Sequence, residues 1–171
     1  TGKGNYTGSL TLSYEIEDIK ETEITEGEKT YRFKRGISTE AELFAITGSD
    51  GVDAAENGYF LKDDITITNG WGITGDTVYL DLNGYSITCT ASASAITMRQ
   101  DGSLHLFDSR EGIKGGEIFR TGSGTSSVIN IIPKGSFYLH SGIIGNDAES
   151  AECRGGYASG GNFIMSGGKI S

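Results

Sequence analysis

One short phrase is written four times in this chain: TVYLDLNGYSI, SLHLFD with a delayed GGEI, SFYLHSGII and NFIMSGGKI. Recurrence at tens of residues means a stack of similar units, each burying its apolar side against its neighbours. Leu82, Leu106, Leu139 and Met165 align in one track, and Ile87, Ile118, Ile144 and Ile170 in another. Two residues before the first track stand Leu80, Leu104, Phe137 and Phe163, with Asp81, His105, Tyr138 and Ile164 in the slot between. Alternation with period two over runs this short predicts strands rather than helices.

A second, less regular strand track precedes each phrase: Ile65 and Ile67, Ile96 and Met98, Ile129 and Ile131. Two or three short strands per turn, at 24 to 33 residues per turn, predict an all-β parallel solenoid. Glycine supplies 27 of the 171 residues, roughly twice the usual share of about 7%. It lacks the every-third-residue spacing of collagen, and the apolar tracks exclude disorder. Gly84, Gly102, Gly116, Gly135, Gly142 and Gly161 fall where strands should bend, at corners expected to need positive φ.

The start of the chain departs from this pattern. Residues 4–16, GNYTGSLTLSYEI, alternate as a strand or hairpin arm, which without partners would pair with another copy or lie along a sheet edge. Residues 15–28 carry seven carboxylates against one lysine, followed by KTYRFKR. That stretch reads as a solvated linker or an exposed strand pair. Thr39 with Glu42 three residues later makes a capping box, so a short helix over 39–46 should cover the first turn, with Leu43, Phe44 and Ile46 on its apolar side. No comparable cap follows Ser171, and the chain opens on Thr1, so a piece of a longer solenoid is expected. The division is residues 1–36 as β arm and acidic linker and residues 37–171 as the stacked domain.

From about Thr39 to Ser171 the sequence resembles the right-handed parallel β-helix, pectate-lyase-like repeat region of large surface proteins of Gram-positive bacteria. The carrying segments are TEAELFAI, DDITIT, VYLDLNGYSIT, GSFYLHSGIIGN and GNFIMSGGKIS. Residues 4–16 are similar to the closing strands of Ig-like bacterial surface repeats. The resemblance implies a secreted or cell-wall address and an adhesive or glycan-associated role, with no catalytic residues attached to the repeat. Enzymes of this build place carboxylates on strands, with calcium or paired aspartates doing the chemistry. Here Asp63 and Asp64 are adjacent and should face opposite ways on a strand. Asp81 and Asp108 fall two slots apart, and Arg99 or Arg110 has no supporting pattern as a base.

The candidate ligand surface is the outward column Asp81, His105 and Tyr138, beside Asn83, Phe107, His140 and Ser166. Carboxylate, imidazole and phenol on rungs about 4.8 Å apart could grip a polysaccharide or host glycan through hydrogen bonds and stacking. Leu106 to Ile118 spans seven residues more than Leu139 to Ile144, and that excursion carries Arg110 and Glu111 as further candidates. The loop from Gly145 to Gly160 is its expected neighbour. Asp147, Glu149 and Glu152 come closest to a calcium set, which needs six or more oxygens, but they read as an acidic loop and no cofactor is expected. A net charge of −9 disfavours nucleic acid, and the chain has no apolar run of the ~20 residues that span a membrane. Cys89 and Cys153 read as two thiols more readily than as a bridge between turns. Three classes follow: a non-enzymatic adhesive or glycan-binding module, a polysaccharide lyase or hydrolase, and a structural spacer.

Overall fold

The computed structural model describes residues 21–46, 54–110, 112, 115–146 and 154–171. Residues 4–16, which the sequence suggests as a strand, lie outside these. The described residues form sixteen strands: β1 Thr22–Glu26, β2 Lys29–Ile37, β3 Gly58–Leu61, β4 Ile65–Ile67, β5 Trp71–Thr74, β6 Thr77–Asp81, β7 Ser86–Cys89, β8 Ile96–Arg99, β9 Ser103–Phe107, β10 Glu117–Arg120, β11 Ile129–Ile131, β12 Ser136–Leu139, β13 Ile143–Asn146, β14 Gly156–Ala158, β15 Asn162–Met165 and β16 Lys169–Ile170. They build three sheets, ordered β1-β2-β3-β6-β9-β12-β15, β16-β13-β10-β7-β4 and β14-β11-β8-β5. From β3 onward every third strand returns to the same sheet, always parallel to its predecessor. The fold is all-β, as the alternation predicts.

The inward residues of all three sheets meet in one core. Val78, Leu80, Leu104, Leu106, Phe137 and Leu139 come from the seven-stranded sheet, Ile67, Ile87, Ile118 and Ile144 from the five-stranded sheet, and Trp71, Ile96, Met98, Ile129 and Ile131 from the four-stranded sheet. The isoleucine track is in the register the sequence suggests, Ile87 beside Ile118, then Ile144, then Ile170. The leucine track holds from Leu106 to Leu139 to Met165 but fails at Leu82. Leu106 pairs with Leu80 rather than Leu82, because Leu82 has already left the strand and is buried inside the corner, its N–H donating to Phe107 O. Aligning on the apolar letter nearest the corner therefore shifts the first turn by two residues.

The corners use glycine in two ways. Gly84 adopts φ +76 and Gly142 φ +89, as expected for sharp turns. Gly122 instead has ordinary φ but lies so close to the preceding turn that a Cβ would overlap the Ala91 carbonyl. Stacking distance, rather than dihedral, requires glycine there.

Helix α1 (Glu40–Phe44) has the expected capping box: Glu42 N–H donates to Thr39 Oγ1 at 3.2 Å, while Glu42 Oε2 accepts from Thr39 N–H. Leu43 and Ile46 are buried, but Phe44 stays exposed. The helix sits against β4, the edge of its sheet, and Glu40 accepts the Thr68 N–H at 2.6 Å. An edge donor left open by the sheet is thereby satisfied. That bond also holds the Glu40 carboxyl below its ordinary pKa.

β1 and β2 form an antiparallel hairpin, closed by Gly27 at φ +60 between the paired Glu26 and Lys29. β2 joins β3 in parallel, and the sheet curls so that the hairpin returns over the outer faces of β6, β9 and β12. Tyr31 lies 5.5 Å from Tyr79 and 4.7 Å from Phe107, centroid to centroid, and Phe33 lies 5.4 Å from Phe107. With Phe60 and Ala55 they make a second, smaller core on the far side of the sheet.

Candidate functional site

The sequence-derived candidates His105, Tyr138, Phe107 and His140 lie on this covered face with Asp81 and Ser166 beside them, and the two-residue register shift regroups them. His105 and Tyr138 do stand in one column, but with Tyr79 rather than Asp81 before them. Asp81 belongs to the next column, beside Phe107, with His140 and Ser166 following in the adjoining turns. The rings of Tyr79, His105 and Tyr138 stack face to face, 4.4 Å and 4.1 Å apart, and Phe107 stacks on His140 at 4.1 Å. Rings stacked on each other in this way present their edges, rather than their faces, to the outside of the ladder.

A chain of polar contacts runs through the stack. His105 Nδ1 lies 3.0 Å from His140 Nε2, and His140 Nδ1 lies 2.7 Å from Glu26 Oε2 on the hairpin. Ser166 Oγ is 3.3 Å from the same His140 Nδ1. A nucleophile-activating triad needs serine and carboxylate on opposite ring nitrogens. Here both approach one nitrogen, so the geometry fastens the hairpin and does not activate Ser166. Burial, with the neighbouring His140 and Lys29 adding to it, depresses His105 from 6.5 to about 3, so its ring is neutral.

Asp81 and Asp108 are closer than the two-slot reading placed them, since Asp81 pairs with Phe107 and Asp108 is the next residue. Both are buried. Asp108 accepts from the N–H groups of Gly84 (2.8 Å), Gly116 (2.7 Å) and Arg110 (3.3 Å), so it ties the delayed corner to the preceding one. Asp81 Oδ1 accepts from Asn83 and Ser109 N–H, while Oδ2 is buried with no partner. Burial raises the Asp81 pKa, with the Asp108 charge adding to it. These carboxylates hold loops, and neither is open to a substrate. Asp63 and Asp64 lie between strands rather than on one. Arg110 is exposed; Glu111, like Asp147, Glu149, Glu152 and Cys153, lies outside the described residues. Cys89 is a free thiol facing the core, its pKa raised by burial.

No family profile, curated protein or solved structure matches this chain. Its functional reading therefore rests on its own residues.

An opening lies elsewhere, at the corner between the five- and four-stranded sheets. A cleft of about 630 Å³ is lined by Ser94, Thr125, Ser126, Ser127, Asn130, Arg154 and Tyr157. Asn130 projects outward between the buried Ile129 and Ile131, and Tyr157 pairs with it one turn later. Ser94, Thr125 to Ser127 and Arg154 come from the same corner in three successive turns. The delayed corner and the 145–160 loop, expected to be neighbours, belong to different corners, since one links β9 to β10 and the other β13 to β14.

Arg120 builds the cleft wall. Although fully buried, its guanidinium donates to the carbonyls of Ser92 (2.9 Å), Ala93 (3.0 Å), Ser123 (3.0 Å), Gly124 (3.3 Å) and Ser126 (3.1 Å). Only arginine presents several donors in a fixed fork able to gather two loops in this way. Sequence reasoning missed Arg120 because it fills an apolar slot of the β10 alternation, two residues after Ile118. The visible signal was the pair of hydroxyl-rich segments TASAS and TGSGTSS, which mark two passes of one corner. Among the described residues no group of three acidic, histidine or cysteine side chains could hold a metal ion, and no helix is long and apolar enough to cross a membrane.

Proposed function

We propose that this chain is a stretch of right-handed parallel β-helix acting as a non-enzymatic, glycan-binding module of a secreted or cell-surface bacterial protein. The return of every third strand to its own sheet, around one apolar interior, supports the helical path. The bacterial surface address rests on the resemblance of the repeat phrases. The observation that carries the binding role is the polar cleft at the corner of β8, β11 and β14. Hydroxyls, an amide and a guanidinium supply hydrogen bonds in both directions, and the half-exposed Tyr157 supplies an aromatic surface, with Arg154 5.4 Å from its ring. A sugar ring needs that combination: many directional polar contacts and one apolar face.

The burial of Asp81 and Asp108 supports a binding role over hydrolysis or lyase chemistry, because their oxygens are spent on backbone N–H groups or sealed from water. Screening the protein on a glycan array tests the reading. Binding that falls at least tenfold in both Asn130→Ala and Tyr157→Ala is expected. An array on which the wild-type protein binds nothing, or on which both variants bind as well as wild type, would overturn it.

A further inference from the structure

A polar chain, Glu26 to His140 to His105, ties the β1–β2 hairpin to the outer face of β9 and β12 across an apolar and aromatic surface, while Arg32 with Glu56 and Arg35 with Tyr59 tie it nearer its base. We infer that this chain is an acid-operated latch: taking up a second proton on the paired imidazoles releases the hairpin and uncovers the Tyr79–His105–Tyr138 ladder. The inference is independent of the glycan cleft, which lies on another face.

A nitrogen-to-nitrogen hydrogen bond requires one donor and one acceptor. At 3.0 Å, His105 Nδ1 and His140 Nε2 share one proton, so one ring must accept. With one proton between them, or with His140 charged against Glu26, the chain is satisfied from end to end. Once both rings are protonated, two donors face each other and two like charges share a half-buried site with one carboxylate. The groups that face the pair make this worse rather than better. From the hairpin come Glu26, Lys29 and Tyr31, with Lys29 Nζ 5.0 Å from the Tyr31 ring and 5.6 Å from the Tyr79 ring. From the stack come the phenols of Tyr79 and Tyr138 and the Ser166 hydroxyl. Glu26 is the one acid among them, and a single carboxylate cannot balance two imidazolium charges.

The closed form therefore binds fewer protons than the open one, in which His105 is in water. Linkage then makes opening steeper as pH falls, by up to about tenfold per pH unit for each proton gained. The neutral state of His105 in the closed structure is consistent with this. The hairpin is suited to leave as a unit, since its turn is local and, among the described residues, it pairs with no strand but β3. Opening would expose Tyr31, Phe33 and Phe107, all buried when it is closed.

Hydrogen exchange on the full chain at pH 7.5 and pH 5.0, corrected for the intrinsic rates, tests the latch. Amides of residues 22–37 should lose at least tenfold protection at the lower pH while β9 and β12 keep theirs. His105→Phe keeps the stacked ring but removes the proton site, and should hold the hairpin equally protected at both values. A hairpin whose protection does not change with pH in the wild type, or that changes as much in His105→Phe, would overturn the latch. Loss of protection in hairpin and stack together would also overturn it, because that is global unfolding. Should His105→Phe not fold, histidine Cε1 resonances of the wild type decide: His105 must titrate at the midpoint at which Tyr31 and Phe33 signals move, and separate midpoints refute the linkage.

Discussion

Two outer faces of this protein are built from the same positional code and end in opposite states. On the seven-stranded sheet the outward slots hold Tyr79, His105, Tyr138, Phe107 and His140, and a hairpin closes over them. On the four-stranded sheet the outward slots hold Thr97, Asn130 and Tyr157, and among the described residues no strand or helix lies over that face, which adjoins a polar cleft. Alternation assigns a residue to the outside of its sheet, but whether outside means solvent depends on what the rest of the chain lays over it. Aromatic residues with few polar partners invite a cover, while hydroxyls and amides are better left in water.

This contrast can be broken most directly by deletion. Phe107→Ala should destabilise the protein by about 3–5 kcal/mol in urea denaturation, since the ring is fully buried on a nominally exterior face. Tyr157→Ala, an exterior aromatic on the other sheet, should change stability by less than ~0.5 kcal/mol. Equal costs at the two positions would mean that the hairpin cover contributes nothing. Arg120→Ala should cost about 3 kcal/mol, since it leaves buried carbonyls without their donor. The same variant should abolish ligand binding at the cleft, and intact binding in a folded Arg120→Ala protein would separate the two roles.

The acid response sharpens the contrast further. The folded-state pKa of His105, about 3, lies below its ordinary 6.5, so the folded protein refuses a proton that the unfolded chain accepts. Stability should therefore fall as pH drops below 6.5 and continue falling toward 3. The slope is at most ~1.4 kcal/mol per unit for one proton, and less for a ring partly open to solvent. Denaturation midpoints of wild type and His105→Phe across that window would show it, with the variant giving the flatter curve. The smallest effect belongs to Asp81. Its buried, unpartnered Oδ2 makes the ionised form costly, so Asp81→Asn should melt at the same temperature or slightly higher, a gain of about 1 kcal/mol at most. A clear loss of stability would mean that the charge is needed.

The repeat phrases made strand positions and the isoleucine register legible because burial of one strand face leaves a period-two imprint on any sequence. They placed Leu82 wrongly for a related reason. A corner residue can be as apolar as a strand residue, and pattern alone does not say which side of the bend it is on. His105, Tyr138, Phe107 and His140 were correctly gathered on one face, whereas Asp81 was assigned one column too far along and to water it does not reach. Arg120 was invisible because a buried cation leaves no hydropathic trace that distinguishes it from a surface one.

The alternation of side chains, the spacing of turns and the capping box at Thr39 are local properties, written in neighbouring residues and readable from them. The curl that brings Tyr31 onto Phe107, the bond from Glu26 to a histidine 114 residues away, and the five carbonyls gathered by Arg120 all join distant segments. Their energies depend on distance and solvent exclusion, which have no value until the chain has closed around them.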